Sequence, residues 1–323
     1  MRHLLLAAAL VLPLGAQAQD SKSWLEAQGL EAGEPKVLQD LEIVIARVKG
    51  ATDPKLAQER IVVFAKGKPA WQSNAKENDP AIVKWTLHVV GTDLDGDGQP
   101  DMHFSGNTGA ARCCTTHYVY KLKPKVVRTG VYPANSVGGG EFLEVPGRKT
   151  PIMVTADDSA AQGFAPYANS YFPAVILEVN PKGRFQFAAD LMRSKLPGQP
   201  PPVCAQPAAV ANPWLKERCG EYVTSRRNAR TAEIKTKLSE IKQGRSADQL
   251  KWDDYYATGV LAAVSAEMNR YAYTGHSGAA MNWLEQLWPG NDAVKLKMLN
   301  TLRTAWSKSV FAEDLKALAA DYR

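Results

Sequence analysis

Beyond its first twenty residues the chain has no apolar run approaching the roughly 20 residues that a membrane-crossing helix needs. A helical span is therefore not expected. No cysteine sits where the opening segment would be cut, so nothing there can carry a lipid. Charge of one sign is in modest surplus, at +6, and much of it comes from a Lys/Arg-rich region between Arg218 and Lys251. That region is read as a local basic face, and nucleic acid is not expected as a partner. Cysteine is scarce: the four present are Cys113, Cys114, Cys204 and Cys219.

What is there begins with MRHLLLAAALVLPLGAQAQD. Arg2 supplies a positive start, Leu4 to Leu14 an apolar core, and Ala16-Gln17-Ala18 a small-residue cleavage pattern. Residues 1–18 are read as a signal peptide cut after Ala18, which makes the mature protein periplasmic or secreted. In an oxidising compartment an even number of cysteines favours disulfides over thiols. Three pairings are open. Cys204 and Cys219 flank a proline-rich turn, and joining them would close a short loop worth roughly 3 kcal/mol; a bond between the neighbours Cys113 and Cys114 would demand strained geometry.

The body of the chain divides by pattern into an antiparallel β domain (19–196), a proline-rich linker (197–213) and an α-helical domain (214–323), an α+β fold. LEIVIARV (41–48) and RIVVFAKG (60–67) are β-branched runs of strand length. KWTLHVV (84–90) alternates Trp85, Leu87 and Val89 against Thr86, His88 and Val90, the period of two of a half-buried strand. MHF, THYVYKLK and KVVRTGVY continue the pattern. A second unit, EFLEVPGRKTPIMVTADD (141–158), can be laid over the first so that Val145-Pro146-Gly147-Arg148 takes the place of Asp95-Gly96-Asp97-Gly98, with YFPAVILEVN (171–180) as its return strand. Hairpin units repeated at about 50 residues are the pattern of propeller blades. After the linker, WLKERCGEYVTSRRNARTAEIKTKLSEIKQ reads as one long polar helix. WDDYYATGVLAAVSAEMNRYAY reads as an amphipathic helix with Tyr256, Val260, Val264 and Met268 on one face, and three more helices follow.

The most chemically marked stretch is TDLDGDGQPDM (92–102). It puts Asp93, Asp95, Asp97 and Asp101 at positions 1, 3, 5 and 9 of an oxygen cage, with Gln99 offering its backbone carbonyl and Gly98 the sharp turn. Hard oxygen donors at this spacing point to a single calcium ion. Position 12, where an EF-hand places a bidentate glutamate, is Phe104, and both flanks read as strand, so a helix-loop-helix is not expected. Without a cation the carboxylates would repel by about 1 to 4 kcal/mol per pair at 4 Å. A structural clamp is the default role, because calcium held by so many protein ligands has little room to activate water.

Other residues carry weaker chemistry. Cys113, Cys114 and His117 could hold zinc, against the expectation of oxidised cysteines. His88, His103 and His117 fall on three strands that can neighbour one another, although strand histidines are more often packed than ligating. Gly275-His276-Ser277-Gly278-Ala279 imitates a nucleophile elbow but lacks the buried strand before the serine and the final glycine, and is read as a helix-to-helix turn with Ser277 as N-cap. Tyr255, Tyr256, Tyr271, Tyr273, Trp283 and Trp288 read as helix packing, with an exposed partner patch as the other reading.

DLDGDGQPDMHFSG, followed by CCTTHYVYKL, resembles the FG-GAP/VCBS type of β unit, in which an aspartate-rich calcium loop joins two strands of a propeller blade. The paired cysteines before T-x-Y-V-Y, with PYANSYFPAVILEVN and FAADLMR, are similar to a group of exported bacterial proteins without assigned activity. The resemblance covers about residues 60–195. It implies Asp93, Asp95, Asp97 and Asp101 as calcium ligands and no catalytic residue. The resulting expectation is an exported, calcium-stabilised binding or scaffolding protein of the cell envelope whose partner is an envelope protein or ligand. The alternative is an envelope hydrolase with a site between the β and helical domains, using His117 or the Asp157-Asp158 pair.

Overall fold

Three antiparallel sheets are laid down in chain order and the helices follow, the α+β class that the sequence predicts. The computed structural model describes residues 14–52, 58–73, 82–110, 114–135, 139–246, 249–289 and 293–320. Helix α1 (Leu14–Ala27) runs through position 18, where the cut is expected, and residues 1–13 of the opening segment lie outside the described residues. Sheet one holds β1 (Leu30–Ala32), β2 (Lys36–Leu38), β3 (Leu41–Val48), β4 (Arg60–Ala65) and β5 (Lys68–Gln72), with β3 at its centre. Sheet two is the meander β6 (Lys84–Thr92), β7 (Asp101–Asn107), β8 (Thr115–Lys121) and β9 (Val127–Asn135). Sheet three is a second meander, β10 (Glu141–Leu143), β11 (Ile152–Ala156), β12 (Ala174–Val179) and β13 (Phe185–Phe187). In sheets two and three the overlaid segments occupy equivalent places. Residues 93–100 join the first two strands of one, residues 144–151 those of the other, and YFPAVILEVN supplies β12, the third strand.

The inner strands of sheet two, β7 and β8, are buried on both faces. Met102, Phe104, Tyr118 and Tyr120 pack with Ile43, Ile61 and Val63 of sheet one. Val119 and Tyr132 face the other way, into a cluster with Ile152, Val175 and Leu177 of sheet three. Phe104 is wholly buried and meets Trp85 and Tyr120 edge-on; truncating such a side chain to alanine costs about 3–5 kcal/mol. The turn between β12 and β13 presses on β9 so closely that a Cβ on Gly183, whose φ is +78°, would lie 1.6 Å from the Thr129 carbonyl oxygen. Only glycine fits that contact.

The alternation expected for KWTLHVV does not persist through the strand. The pairing register shifts between Leu87 and Val89, so His88 is an extra residue, a β-bulge. Trp85, Leu87 and Val90 consequently pack toward sheet one, and Val89 toward sheet three. A simple period of two would have exchanged Val89 and Val90.

The proline-rich segment 197–213, expected as a linker, is folded. Pro202–Ala205 forms a 3-10 turn and α3 (Pro207–Ala211) follows the short α2 (Ala189–Met192). Val203, Ala208 and Ala209 are buried in the cluster that holds sheet three. Cys204 and Cys219 are disulfide-bonded across a separation of 15 residues. The single polar helix expected next is two, α4 (Pro213–Gly220) and α5 (Thr224–Lys242), interrupted where Val223 takes an extended conformation. Its basic face is partly turned inward: Arg218 pairs with Glu221 at 3.0 Å, and Arg230 reaches Glu267 at 3.3 Å.

The amphipathic run likewise breaks into α6 (Trp252–Ala257) and α7 (Val260–Ala272), because Gly259 adopts φ +74° between them. Val260, Val264 and Met268 keep their shared buried face within α7. In α8 (Ser277–Leu287) the N-cap is His276, and Ser277 is the first helical residue rather than the cap. The turn at 273–276 does connect two helices. Tyr255 and Trp288 are fully buried and stacked at 4.9 Å, so these rings are core. The last helices, α9 (Ala293–Lys308) and α10 (Ala312–Ala320), close on sheet three, where Arg184 in the β12–β13 turn meets Asp314 at 3.2 Å. No described helix is long and apolar enough to cross a membrane.

Candidate metal centre

The loop between β6 and β7 is shaped by its own carboxylates. Asp93 accepts from the backbone N–H groups of Gly96 (2.7 Å) and Gly98 (2.9 Å), Asp95 from Asp97 N–H (3.1 Å), and Asp97 from Gln99 N–H (2.8 Å). Gly96 and Gly98 take φ of +81° and +84° to allow this winding. Asp101, at the first position of β7, accepts from Leu94 N–H at 2.8 Å. One oxygen from each of Asp93, Asp95 and Asp101 falls within 4.8 Å of the others. Asp95 Oδ2 and Asp101 Oδ1 are buried and have no hydrogen-bond partner among the described residues.

Asp97 and Gln99 stand apart from that trio. Both are on the exposed side of the loop, and Asp97 is paired with Lys121 at the end of β8. The register places Lys121 directly across from Asp101, and its ammonium also lies 3.3 Å from Asp95 Oδ2. Hydrogen bonding to Lys121 lowers the Asp97 carboxyl and raises the lysine in return. Asp101 is pushed up to about 7, chiefly by burial and then by the neighbouring Asp95 and Asp97 charges. A buried carboxyl facing two carboxylates is the electrostatic arrangement a cation relieves. The donor set, all oxygen and mostly anionic, fits a hard ion of calcium's kind.

A second grouping lies on the same face of sheet two. Side chains alternate along β7 and β8, so Asp101 and His103 on one strand and Lys121, Val119 and His117 on the other point toward sheet three. The bulge adds His88. Its ring stacks on His103 at 4.7 Å, and His103 stacks on His117 at 5.1 Å. His103 Nε2 and His117 Nδ1 share a hydrogen bond of 2.9 Å, and His88 Nε2 meets Ser105 Oγ at 2.7 Å. Phe142 of β10 stands edge-on to His103 at 4.9 Å. Burial lowers all three imidazoles, His103 to about 2 and His117 to about 3, so the buried pair is neutral at any ordinary pH.

The remaining sequence candidates resolve differently. Cys114 is disulfide-bonded and cannot offer a thiolate, which removes the Cys113-Cys114-His117 zinc reading; Cys113 lies outside the described residues. Asp157 is buried where sheet three meets the helices and accepts hydrogen bonds from the hydroxyls of Tyr273 and Ser309. Asp158 is half-buried beside Asn135 at 3.4 Å. A serine held directly on a carboxylate, with no histidine between, lacks the base that nucleophilic catalysis needs. His276 of the elbow-like segment bonds Ser194 at 2.9 Å. Sequence reasoning missed Lys121 and Lys149, whose Nζ donates to the Gly96 carbonyl at 2.6 Å. No protein-family model, curated protein or solved structure matches this chain.

Proposed function

We propose that this chain is an exported, non-catalytic binding or scaffolding protein of the cell envelope, and that its aspartate loop is a calcium clamp that stiffens the edge of sheet two. The observation that carries this reading is the convergence of Asp93, Asp95 and Asp101 within 4.8 Å, two of them presenting buried oxygens with no hydrogen-bond partner among the described residues. Asp97 and the Gln99 carbonyl lie next in the loop and complete the set once the ammonium of Lys121 gives way to the ion. The pairing of Lys121 with Asp95 and Asp97 then reads as the internal counter-charge of the ion-free loop. The hydrolase alternative would use His117 or the Asp157-Asp158 pair; His117 is buried against His103, and Asp157 is engaged by two hydroxyls.

Thermal unfolding with calcium and with chelator tests the clamp. A ligand that binds only the folded state adds about 2.7 kcal/mol of stability at 100 times its dissociation constant. The midpoint should rise with calcium in the natural chain and not in Asp95→Ala. An equal midpoint in both conditions for the natural chain rejects the assignment.

A further inference from the structure

We infer that His88, His103 and His117 form a three-imidazole site for a late first-row divalent cation, with Zn2+ as its representative, separate from the aspartate loop. The three residues come from three adjacent strands, β6, β7 and β8, and one ring nitrogen of each lies within 4.8 Å of the others. Assembly depends on the bulge: His88 is the extra residue between Leu87 and Val89, and the displaced register sets its ring against His103.

One hydrogen bond joins the two buried rings. His103 and His117 are both fully buried, and their mutual hydrogen bond uses only one nitrogen of each. His103 Nδ1 and His117 Nε2 have no partner among the described residues. In the ion-free state one ring must donate across the 2.9 Å contact and the other accept, so one far nitrogen keeps a buried N–H and the other a buried lone pair. A cation seated between the facing nitrogens replaces the shared proton. That proton moves to the far nitrogen of its own ring, so the ligand set stays neutral. The facing nitrogens are already near the roughly 3.4 Å that separates two imidazole nitrogens bound at 2.0–2.1 Å to one tetrahedral ion.

The donor chemistry selects the ion. Three neutral imidazoles suit zinc, copper or nickel and offer calcium nothing, whereas the oxygen set around Asp101 suits calcium. Asp101 and His103 are two residues apart on β7, roughly 7 Å, so two donor sets of different hardness sit side by side on one sheet face. His88 is exposed and provides the approach from solvent. Three protein ligands leave a fourth position for water or an incoming group.

The test uses the full-length chain without a histidine tag, stripped by chelator and titrated with Zn2+ in saturating calcium, with bound metal counted after dialysis. One tightly held zinc per chain is expected. His88→Ala, a change at an exposed position, should weaken it at least tenfold, the low end of what losing even an outer-shell partner does, while circular dichroism stays that of the natural chain. Asp95→Ala should bind zinc unchanged. Cobalt in place of zinc should give the visible absorption of a tetrahedral nitrogen site, absent in His88→Ala. Failure of the natural chain to retain zinc, or zinc retention that Asp95→Ala removes and His88→Ala does not, overturns the site and leaves the calcium loop to be judged by its own response.

Discussion

Residues 93–100 join β6 to β7, and residues 144–151 join β10 to β11 at the equivalent place in the next sheet. In the sequence overlay Val145 stands where Asp95 stands. Both are buried, one as an apolar side chain and the other as a carboxylate. The second connection supplies its own cation: Arg148 reaches Glu178 on β12 and, at 2.5 Å, Asp190 on α2. The two arms of one guanidinium, each on a different carboxylate, tie the loop to β12 and α2. The first connection concentrates negative charge and draws Lys121 from a neighbouring strand to within 3.3 Å of Asp95 Oδ2, yet leaves Asp101 Oδ1 buried with no hydrogen-bond partner among the described residues. One connection is held by a covalently attached cation, and the other, on the proposed reading, is shaped to take one from solution. The two loops also touch, through Lys149 of the second on the Gly96 carbonyl of the first.

Four substitutions test this contrast, in decreasing order of effect. Gly183→Ala, which forces a side chain into left-handed backbone against Thr129, should lower stability by about 3 kcal/mol in urea denaturation; sheets two and three would part, and the calcium response should weaken with them. An unchanged midpoint would mean that the loops do not depend on this contact. Arg148→Met should cost about 1–2 kcal/mol, because Glu178 and Asp190 lose their shared partner at a site still open to water. That loss should be the same with calcium or chelator, and a loss present only in chelator would make the two loops one device. Lys121→Met should tighten calcium binding about tenfold, or about 1.4 kcal/mol, by removing a competing charge from Asp95 and Asp97. Weaker binding measured by calorimetry would show the lysine to be part of the site. Lys149→Ala should cost only about 0.5–1 kcal/mol, the worth of one hydrogen bond; its effect on calcium affinity gauges how far one loop senses the other.

Much of the candidate site was legible because it is local. Aspartates at alternate positions and glycines at the turn fix the loop within nine residues, and the structure winds it on those same groups. The Cys204–Cys219 bond was legible for a similar reason, a short span around prolines. What escaped depends on partners far along the chain. Lys121 belongs to the loop only through the register of β7 on β8, which sets it across from Asp101. Val89 and Val90 are both half-buried apolar residues, packed toward sheet three and sheet one respectively, so the polar-apolar contrast that would reveal a register shift in β6 is weak. The split of the long amphipathic run at Gly259 lay in plain sight as a glycine, but helical periodicity on both sides masked it. The folded 197–213 segment shows that proline density marks the absence of long helices and strands, and a buried turn satisfies it as well as a tether does.

The bulge at His88 makes the second sheet tolerant of a change in chain length at that one position. Leu87 pairs with Phe104 and Val89 with the next residue of β7, His103, so the ladder on either side of His88 is already continuous. A chain lacking that position would keep Trp85, Leu87 and Val90 toward sheet one and Val89 toward sheet three, as regular alternation requires. The bulge therefore lets the strand carry an imidazole that the aromatic core does not depend on, and a one-residue deletion would remove the ring and spare the core.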